Sequence, residues 1–396
     1  MTLDFQQVQE QVREMGKSAP ARQEELRIKR EEARALLKNY AGEIEALRRK
    51  VREAVLQDAS LRCALPVLLP DGTPQPIDGH YPLPSLPAQA TILAADGSQI
   101  NLDRHAEVEF GLVNVGAIQM RLGSPQPPST TVRCELIHDE QLDNLTEAGL
   151  ALKRDLKERS MLVELAAQAP APVITFTDGP MELWGSKDAT SAEQASEYQQ
   201  SLKQYLGVLD QLCSLGAITA GYVDKPSANL VVRLLEVARA SPDDLRNLRQ
   251  YRPLRGVSDR FIYRGLLEPG ERSSIFAMQS QSAKNYPGSS ALHFFYLNVG
   301  RPGHPSLARV EAPGWVIGDQ TRLDSLHAVL VDQCRILGGR AYPYLLHRAH
   351  ETALVSHQER DQVTNMIVLE LRKRGIDIEG ISQKQAIKNL AGRSRL

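Results

Sequence analysis

Thr91-Ile92-Leu93-Ala94-Ala95-Asp96-Gly97-Ser98 is the stretch on which the fold of this chain turns. Its first five residues form a β-rich apolar run, so the segment reads as a buried strand. That strand carries Asp96 to its lip, where Gly97 turns the backbone away. Further along, Val173-Ile174-Thr175-Phe176-Thr177-Asp178-Gly179 repeats the setting. Two carboxylates delivered at strand ends can converge on a divalent cation. Asp-Gly also makes ordinary turns, and Asp71-Gly72 and Asp78-Gly79, set among prolines, read that way.

Outward from these two strands the pattern alternates. Residues 108–118 and 131–137 read as adjoining antiparallel strands, and 142–167 as a long helix with Leu152, Leu156, Leu162, Val163 and Leu165 on one buried face. A helix over 193–215 follows, then strands at 218–223, 292–299 and 306–311. The order implies an α/β fold with a mixed sheet flanked by helices. It is not a βαβ repeat, and neither a Gly-x-Gly-x-x-Gly nor a Gly-x-x-x-x-Gly-Lys-Ser/Thr motif occurs, so the chain has no visible nucleotide-binding loop.

The 396 residues suit one large α/β core with an appendage. With a formal net charge of -1, any nucleic-acid surface must be a local patch. Cys63, Cys134, Cys213 and Cys334 lie far apart with no Cys-x-x-Cys pair, which argues against zinc ribbons and disulfide scaffolds and for reduced, buried thiols. The polar, charged N-terminus and the lack of any membrane-length apolar stretch read as a cytoplasmic protein.

Residues 1–62 differ in character. Ala33, Leu37, Tyr40, Ile44, Leu47, Val51 and Ala54 recur in steps of three and four among Arg and Glu, a helix with a narrow apolar seam. Gly16-Lys17-Ser18-Ala19-Pro20 reads as a break that would make a helical hairpin. Such a coiled-coil-like arm either serves dimerisation and partner docking or lies on its own domain. Residues 63–90, dense in Pro and Gly, read as a linker or irregular wrap, and 91–396 as the main domain.

Two further motifs complete the set: Ala308-Arg309-Val310-Glu311-Ala312-Pro313, and Tyr342-Pro343 followed by Ala349-His350-Glu351. The ordered series of Asp-Gly-Ser, a helical Glu, Asp-Gly, Arg-Val-Glu-x-Pro, Tyr-Pro and Ala-His-Glu resembles the NurA nuclease family from about residue 91 to 382. That resemblance implies an RNase H-like core and a metal-dependent nuclease acting on single-stranded DNA and DNA ends. It implies a homodimer working beside a HerA-type hexameric ATPase in end resection for recombinational repair.

By the same resemblance Asp96, Glu158, Asp178 and His350 are the metal ligands, and Tyr342 joins them at the catalytic centre. Glu158 takes its place from Arg154-Asp155-Leu156-Lys157-Glu158, which fits the family's Arg-x-x-x-Glu; Glu164, nearly two turns on, is the substitute. Carboxylate oxygens suit magnesium or manganese, and an imidazole beside them leans the choice to Mn2+ with Mg2+ as the alternative. Ligation needs the neutral ring, so activity falls in acid. His347 is placed for a phosphate contact. Arg309 is either a substrate-orienting group or half of a structural ion pair with Glu311.

The basic tail holding Arg372, Lys373, Arg374, Lys384, Lys388, Arg393 and Arg395 offers phosphate contacts, Lys384 among them. Arg252, Arg255 and Arg260, interleaved with Tyr251, Phe261 and Tyr263, form a second basic stretch. Two other readings stand beside the nuclease: a non-catalytic scaffold for a ring ATPase, and a metal-dependent RNase or phosphoesterase.

Overall fold

The computed structural model describes residues 3–68, 72–102, 109–138, 145–183 and 192–375. In chain order the elements are α1 (Phe5–Asn39), α2 (Ile44–Gln57), β1 (Cys63–Pro66), β2 (His80–Tyr81), β3 (Ala90–Ile100), β4 (Gly111–Leu122) and β5 (Ser129–Ile137). Next come α3 (Glu147–Ala166), β6 (Val173–Asp178), α4 (Ala192–Ser214), β7 (Ile218–Val223), α5 (Leu230–Arg239), α6 (Pro242–Arg246) and α7 (Asp259–Tyr263). Then follow β8 (Arg272–Ser273), β9 (Phe276–Gln279), β10 (Leu292–Asn298), β11 (Leu307–Pro313), α8 (Gly314–Ile317), α9 (Gln320–Ile336), α10 (Tyr344–Ala353) and α11 (His357–Lys373). By contact the chain falls into two units, one of Met1–Ala88, Asp178–Glu182 and Ile218–Tyr344, the other of Gln89–Thr177, Leu183–Ala217 and Leu345–Leu396.

The second unit is the expected mixed sheet flanked by helices. β6 runs parallel to β3 from Thr91↔Val173 to Ala95↔Thr177, while β3 pairs antiparallel with β4 and β4 with β5. Ile92, Leu93, Ala94 and Ala95 are fully buried, as a strand covered on both faces requires. Helix α3 starts where the Thr146 hydroxyl accepts the Gly149 N–H, and it packs on β3, β4 and α4. Lys153 and Lys157 both pair with Glu135 of β5, and Arg133 of β5 pairs with Glu164. These pairs tie α3 to the β5 side of the sheet. Helix α11 packs Val363 and Ile367 onto Ile100, Phe110 and Leu112.

One expectation about β3 is corrected. Asp96 does not end the strand, since pairing with β4 continues through Asp96↔Gly116 to Ile100↔Leu112. Only the ladder to β6 stops, at Ala95↔Thr177. Gly97 therefore makes no turn. A Cβ there would meet Arg154 Cγ at 2.6 Å and Glu158 Oε1 at 2.8 Å, so the glycine lets α3 approach the strand. At the second aspartate the turn is real, with Gly179 at φ 83°.

In the first unit, β1, β9, β10, β11 and β7 are neighbours in that order, with antiparallel pairing throughout. Its N-terminal helices differ from expectation. α1 runs unbroken through Gly16 and Pro20, and the break falls at residues 40–43, where Ile77 N–H donates to Ala41 O and takes a carbonyl that a continuing helix would use. The seam residues Ala33, Leu37, Ile44, Leu47, Val51 and Ala54 are buried, and Tyr40 is partly so. They lie against their own chain, α1 on α5 and α7, α2 on α5, α6 and β1. The earlier turns of α1, up to Glu25, are almost wholly exposed.

Residues 63–90 are knit into this unit. Cys63–Pro66 pairs with β9, His80–Tyr81 pairs with β8, the Gln75 side chain accepts the Ile275 N–H, and Tyr263 Oη donates to Ile77 O. All four cysteines are free thiols; Cys63 and Cys334 are buried, whereas Cys134 is exposed and Cys213 partly so, contrary to the expectation of four buried ones. Among the described residues no helix is long and apolar enough to cross a membrane.

Candidate active site

Within the second unit, β3, α3 and α10 bring three of the sequence-selected residues together. Helix α10 buries Leu345, Leu346, Ala349 and Ala353 and leaves His350 on its exposed side. Its C-terminal end is pinned at the Ala353 carbonyl, which accepts from Ser98 Oγ at 2.5 Å and Asn114 Nδ2 at 2.8 Å. These bonds satisfy a carbonyl that has no partner within the helix and fix α10 to β3 and β4. His350 Nδ1 then stands 2.7 Å from Asp96 Oδ2. With the aspartate ionised, Nδ1 donates and Nε2 is left as the acceptor of the ring.

Glu158 lies on the face of α3 turned to β3, only 5% exposed, its Oε1 within 2.8 Å of where a Gly97 Cβ would stand. Arg154 Nε is 3.5 Å from Oε1 and Arg159 Nη1 is 3.7 Å from Oε2. Both are long for ion pairs. Burial therefore dominates and pushes the Glu158 carboxyl up to about 8, opposed by Arg159 and Arg154 and assisted by the negative charges of Asp155 and Asp96. Arg154 itself is held by Asp155 at 2.8 Å, and Arg159 sits over the Tyr205 ring at 5.0 Å. Glu164, the substitute, is half exposed and paired with Arg133.

In the first unit, Asp178 is exposed and ends β6, one residue beyond Thr177, just as Asp96 follows Ala95. The turn after it is fastened twice: Gly179 N–H donates to Tyr222 O, and Met181 N–H donates to Glu311 Oε2. Glu311 also pairs with Arg309 at 2.7 Å, and both are buried. Arg309 is 6% exposed and lies within the sheet beside Glu311. Through Glu311 the pair positions the Asp178 turn.

Tyr342 is partly buried, its ring edge-on to Tyr222 with centroids 5.6 Å apart. His347 is partly buried and faces Glu351 at 3.4 Å, with Arg348 on the same carboxylate at 2.6 Å. Lys384 and the rest of the tail beyond Gly375 lie outside the described residues. Beyond the residues expected to form the site, the Ser98, Asn114 and Arg154 side chains contribute to it. Asn114 carries no motif signal, whereas Arg154 was visible as the first residue of the Arg-x-x-x-Glu pattern.

Among the described residues no three His, Cys, Asp or Glu side chains already stand as a metal-holding group. The donor chemistry nevertheless fits a divalent cation. Two carboxylates lie near one another with an imidazole on one of them, and the buried Glu158 has its charge only partly compensated. A cation is the group that would offset it.

The NurA domain model matches residues 90–355, and the chain belongs to the NurA family. By that membership it is a nuclease. Solved structures similar to it include the NurA nuclease from Sulfolobus solfataricus, at 12% identity over 75% of this chain and 88% of that one, with a TM-score of 0.47. A NurA crystal structure with manganese matches at 10% identity over 76% and 93%, TM-score 0.36. A type 1 RNase H with the type 2 active-site motif matches at 16% identity over 31% and 59%, TM-score 0.20. No curated protein sequence matches the chain.

Proposed function

We propose that this nuclease is metal-dependent and hydrolyses phosphodiester bonds of DNA, on single strands and at ends. The observation that carries the reading is the Asp96–His350 pair at 2.7 Å with the buried Glu158 carboxyl beside Asp96. Asp96, Glu158, Asp178 and His350 are the residues that would hold the ion, manganese in preference to magnesium because of the imidazole. When bound, such an ion lends Lewis-acid charge to the scissile phosphate and acidifies the attacking water.

The chain's own groups do the rest. Asp96 fixes the tautomer and orientation of His350, leaving Nε2 as ligand or proton acceptor. Gly97 brings Glu158 close without steric conflict. Arg154, beside both carboxylates, keeps their mutual repulsion in check and offers N–H donors to a phosphate oxygen. Tyr342 donates a hydrogen bond to the phosphate or stacks on an unpaired base. His347 and Lys384 contribute phosphate contacts in the same reading.

Family membership supports the wider proposal: a homodimer acting with a HerA-type hexameric ATPase in DNA end resection for recombinational repair, in the cytoplasm. The test is cleavage of labelled single-stranded DNA and RNA in manganese, with and without chelator, together with co-purification of the ATPase. Cleavage of RNA alone would replace the DNA reading with the RNase one.

A further inference from the structure

Arg260 and Phe261 of the second basic stretch line, in the first unit, a cleft of about 260 Å³. Lys225, Arg260 and Arg264 supply its charge, with Phe261, Ser306 and Leu307 among its walls. Among the described residues no carboxylate pairs with Arg260 or Arg264. Among the described residues the one ion pair made by the three is that of the exposed Lys225 ammonium with Asp224, at 3.7 Å, a pair of little worth in solvent. Cations gathered without counter-charges repel one another, and an anionic ligand relieves that cost.

Two features show that the cations are held in place. The Phe261 ring carries the guanidinium of Arg260 at 4.9 Å and that of Arg30 at 3.8 Å, and Arg34 anchors the same segment by donating to Phe261 O and Arg264 O. The ring is thereby engaged by cations and is not an open stacking platform, which favours contact with phosphates over contact with bases. Lys225, moreover, is the only non-glycine among the described residues with positive φ, at 42°. A lysine kept in the left-handed region costs free energy that only a fixed surrounding sustains.

The cleft also lies at a definite place. Arg309 pairs with Val223, so Lys225, two residues beyond, and Leu307, two before, come from the same end of the β7–β11 pair. The Asp178 turn is fastened at Tyr222 of β7, three residues before Lys225. A span of three residues is at most roughly 10 Å, short against the several nucleotides that a single-strand groove covers.

We propose that Lys225, Arg260 and Arg264 form a second phosphate-binding subsite, which grips the sugar-phosphate backbone of a nucleic-acid strand close to Asp178. The proposal rests on the nuclease reading for the identity of the strand, but its binding test is independent of catalysis. Arg264→Gln, Lys225→Gln and the Arg260→Gln/Arg264→Gln double variant of the full chain are titrated with fluorescent oligo-dT in chelator, over a range of salt. Arg264 and Lys225 are exposed, so at least these single variants keep the fold, checked by unchanged melting.

Each lost phosphate contact on a single strand lowers the slope of log affinity against log salt by about 0.7, and the double variant by about 1.4, with an affinity loss on the order of tenfold at low salt. Unchanged slope and affinity in folded Arg264→Gln and Lys225→Gln would overturn the proposal. So would loss of binding to an acidic peptide with oligo-dT binding intact. If the slopes shift but the wild type cleaves no DNA in manganese, the subsite stands and the metal-dependent DNA-cleavage reading fails; the opposite pattern separates them the other way.

Discussion

His350 Nδ1 lies 2.7 Å from Asp96 Oδ2, joining two residues 254 positions apart in the chain. The contact depends on Ser98 and Asn114, which hold the last carbonyl of α10 against β3 and β4. An exposed histidine on a helix is thus made into a directed group by two polar side chains that take no part in chemistry themselves.

The third carboxylate is separable by substitution. Glu158→Gln is expected to lower manganese-dependent cleavage by on the order of a hundredfold, the scale of losing about 3 kcal/mol of charge stabilisation. Glu164→Gln, which removes only a surface pair with Arg133, should leave activity intact and stability within about 0.5 kcal/mol. Purified variants assayed side by side decide it, and the reverse order would move the site along α3.

Burial of Glu158 predicts a pH dependence of stability in the ion-free protein. Its carboxyl is raised from an ordinary 4.5 to about 8, so over that window the native state holds a proton that the unfolded chain has released. Stability therefore falls as pH rises from about 4.5 to about 8 and levels off above it, a total effect on the order of a few kcal/mol. Thermal melting in chelator should show Glu158→Gln more stable than wild type above about pH 8, the gap closing toward pH 5. Parallel curves would mean that Glu158 ionises freely.

Gly97 has a packing reason that can be checked. Gly97→Ala places a methyl against Arg154 Cγ and Glu158 Oε1, and the cost is expected at about 1 to 3 kcal/mol with a fall in kcat. A variant as stable and active as wild type would show that α3 retreats without consequence.

The seam of the N-terminal helices makes a different forecast. Leu47, 2% exposed against its own chain, should on replacement by Ala cost about 2 to 5 kcal/mol in denaturant unfolding. Basal cleavage per folded molecule should be kept. A loss of oligomer with unaltered unfolding would instead assign the seam to another subunit.

Much of this was legible in the sequence. Apolar runs and turn residues located the strands carrying Asp96 and Asp178, and the three- and four-residue steps located the buried seam almost residue for residue. The misreadings share a cause. Gly97 resembles a turn residue until the helix above it is known, and Gly16 with Pro20 resembles a helix break although α1 continues through both. The actual break after Asn39 depends on Ile77, which reaches Ala41 from a segment that looked like linker. Long-range partners decided each case, and local pattern does not carry them.

If Asp96 and Asp178 hold the divalent ion proposed to drive DNA cleavage, both chelation and loss of either carboxylate abolish that cleavage. Labelled single-stranded DNA is incubated in manganese with wild type and with Asp96→Asn and Asp178→Asn, each shown to be folded by melting, with and without chelator. Cleavage by wild type that chelator abolishes, and a loss on the order of a hundredfold or more in both variants, is the predicted result. Cleavage that persists in chelator, or full activity in either variant, would show that these carboxylates hold no catalytic ion.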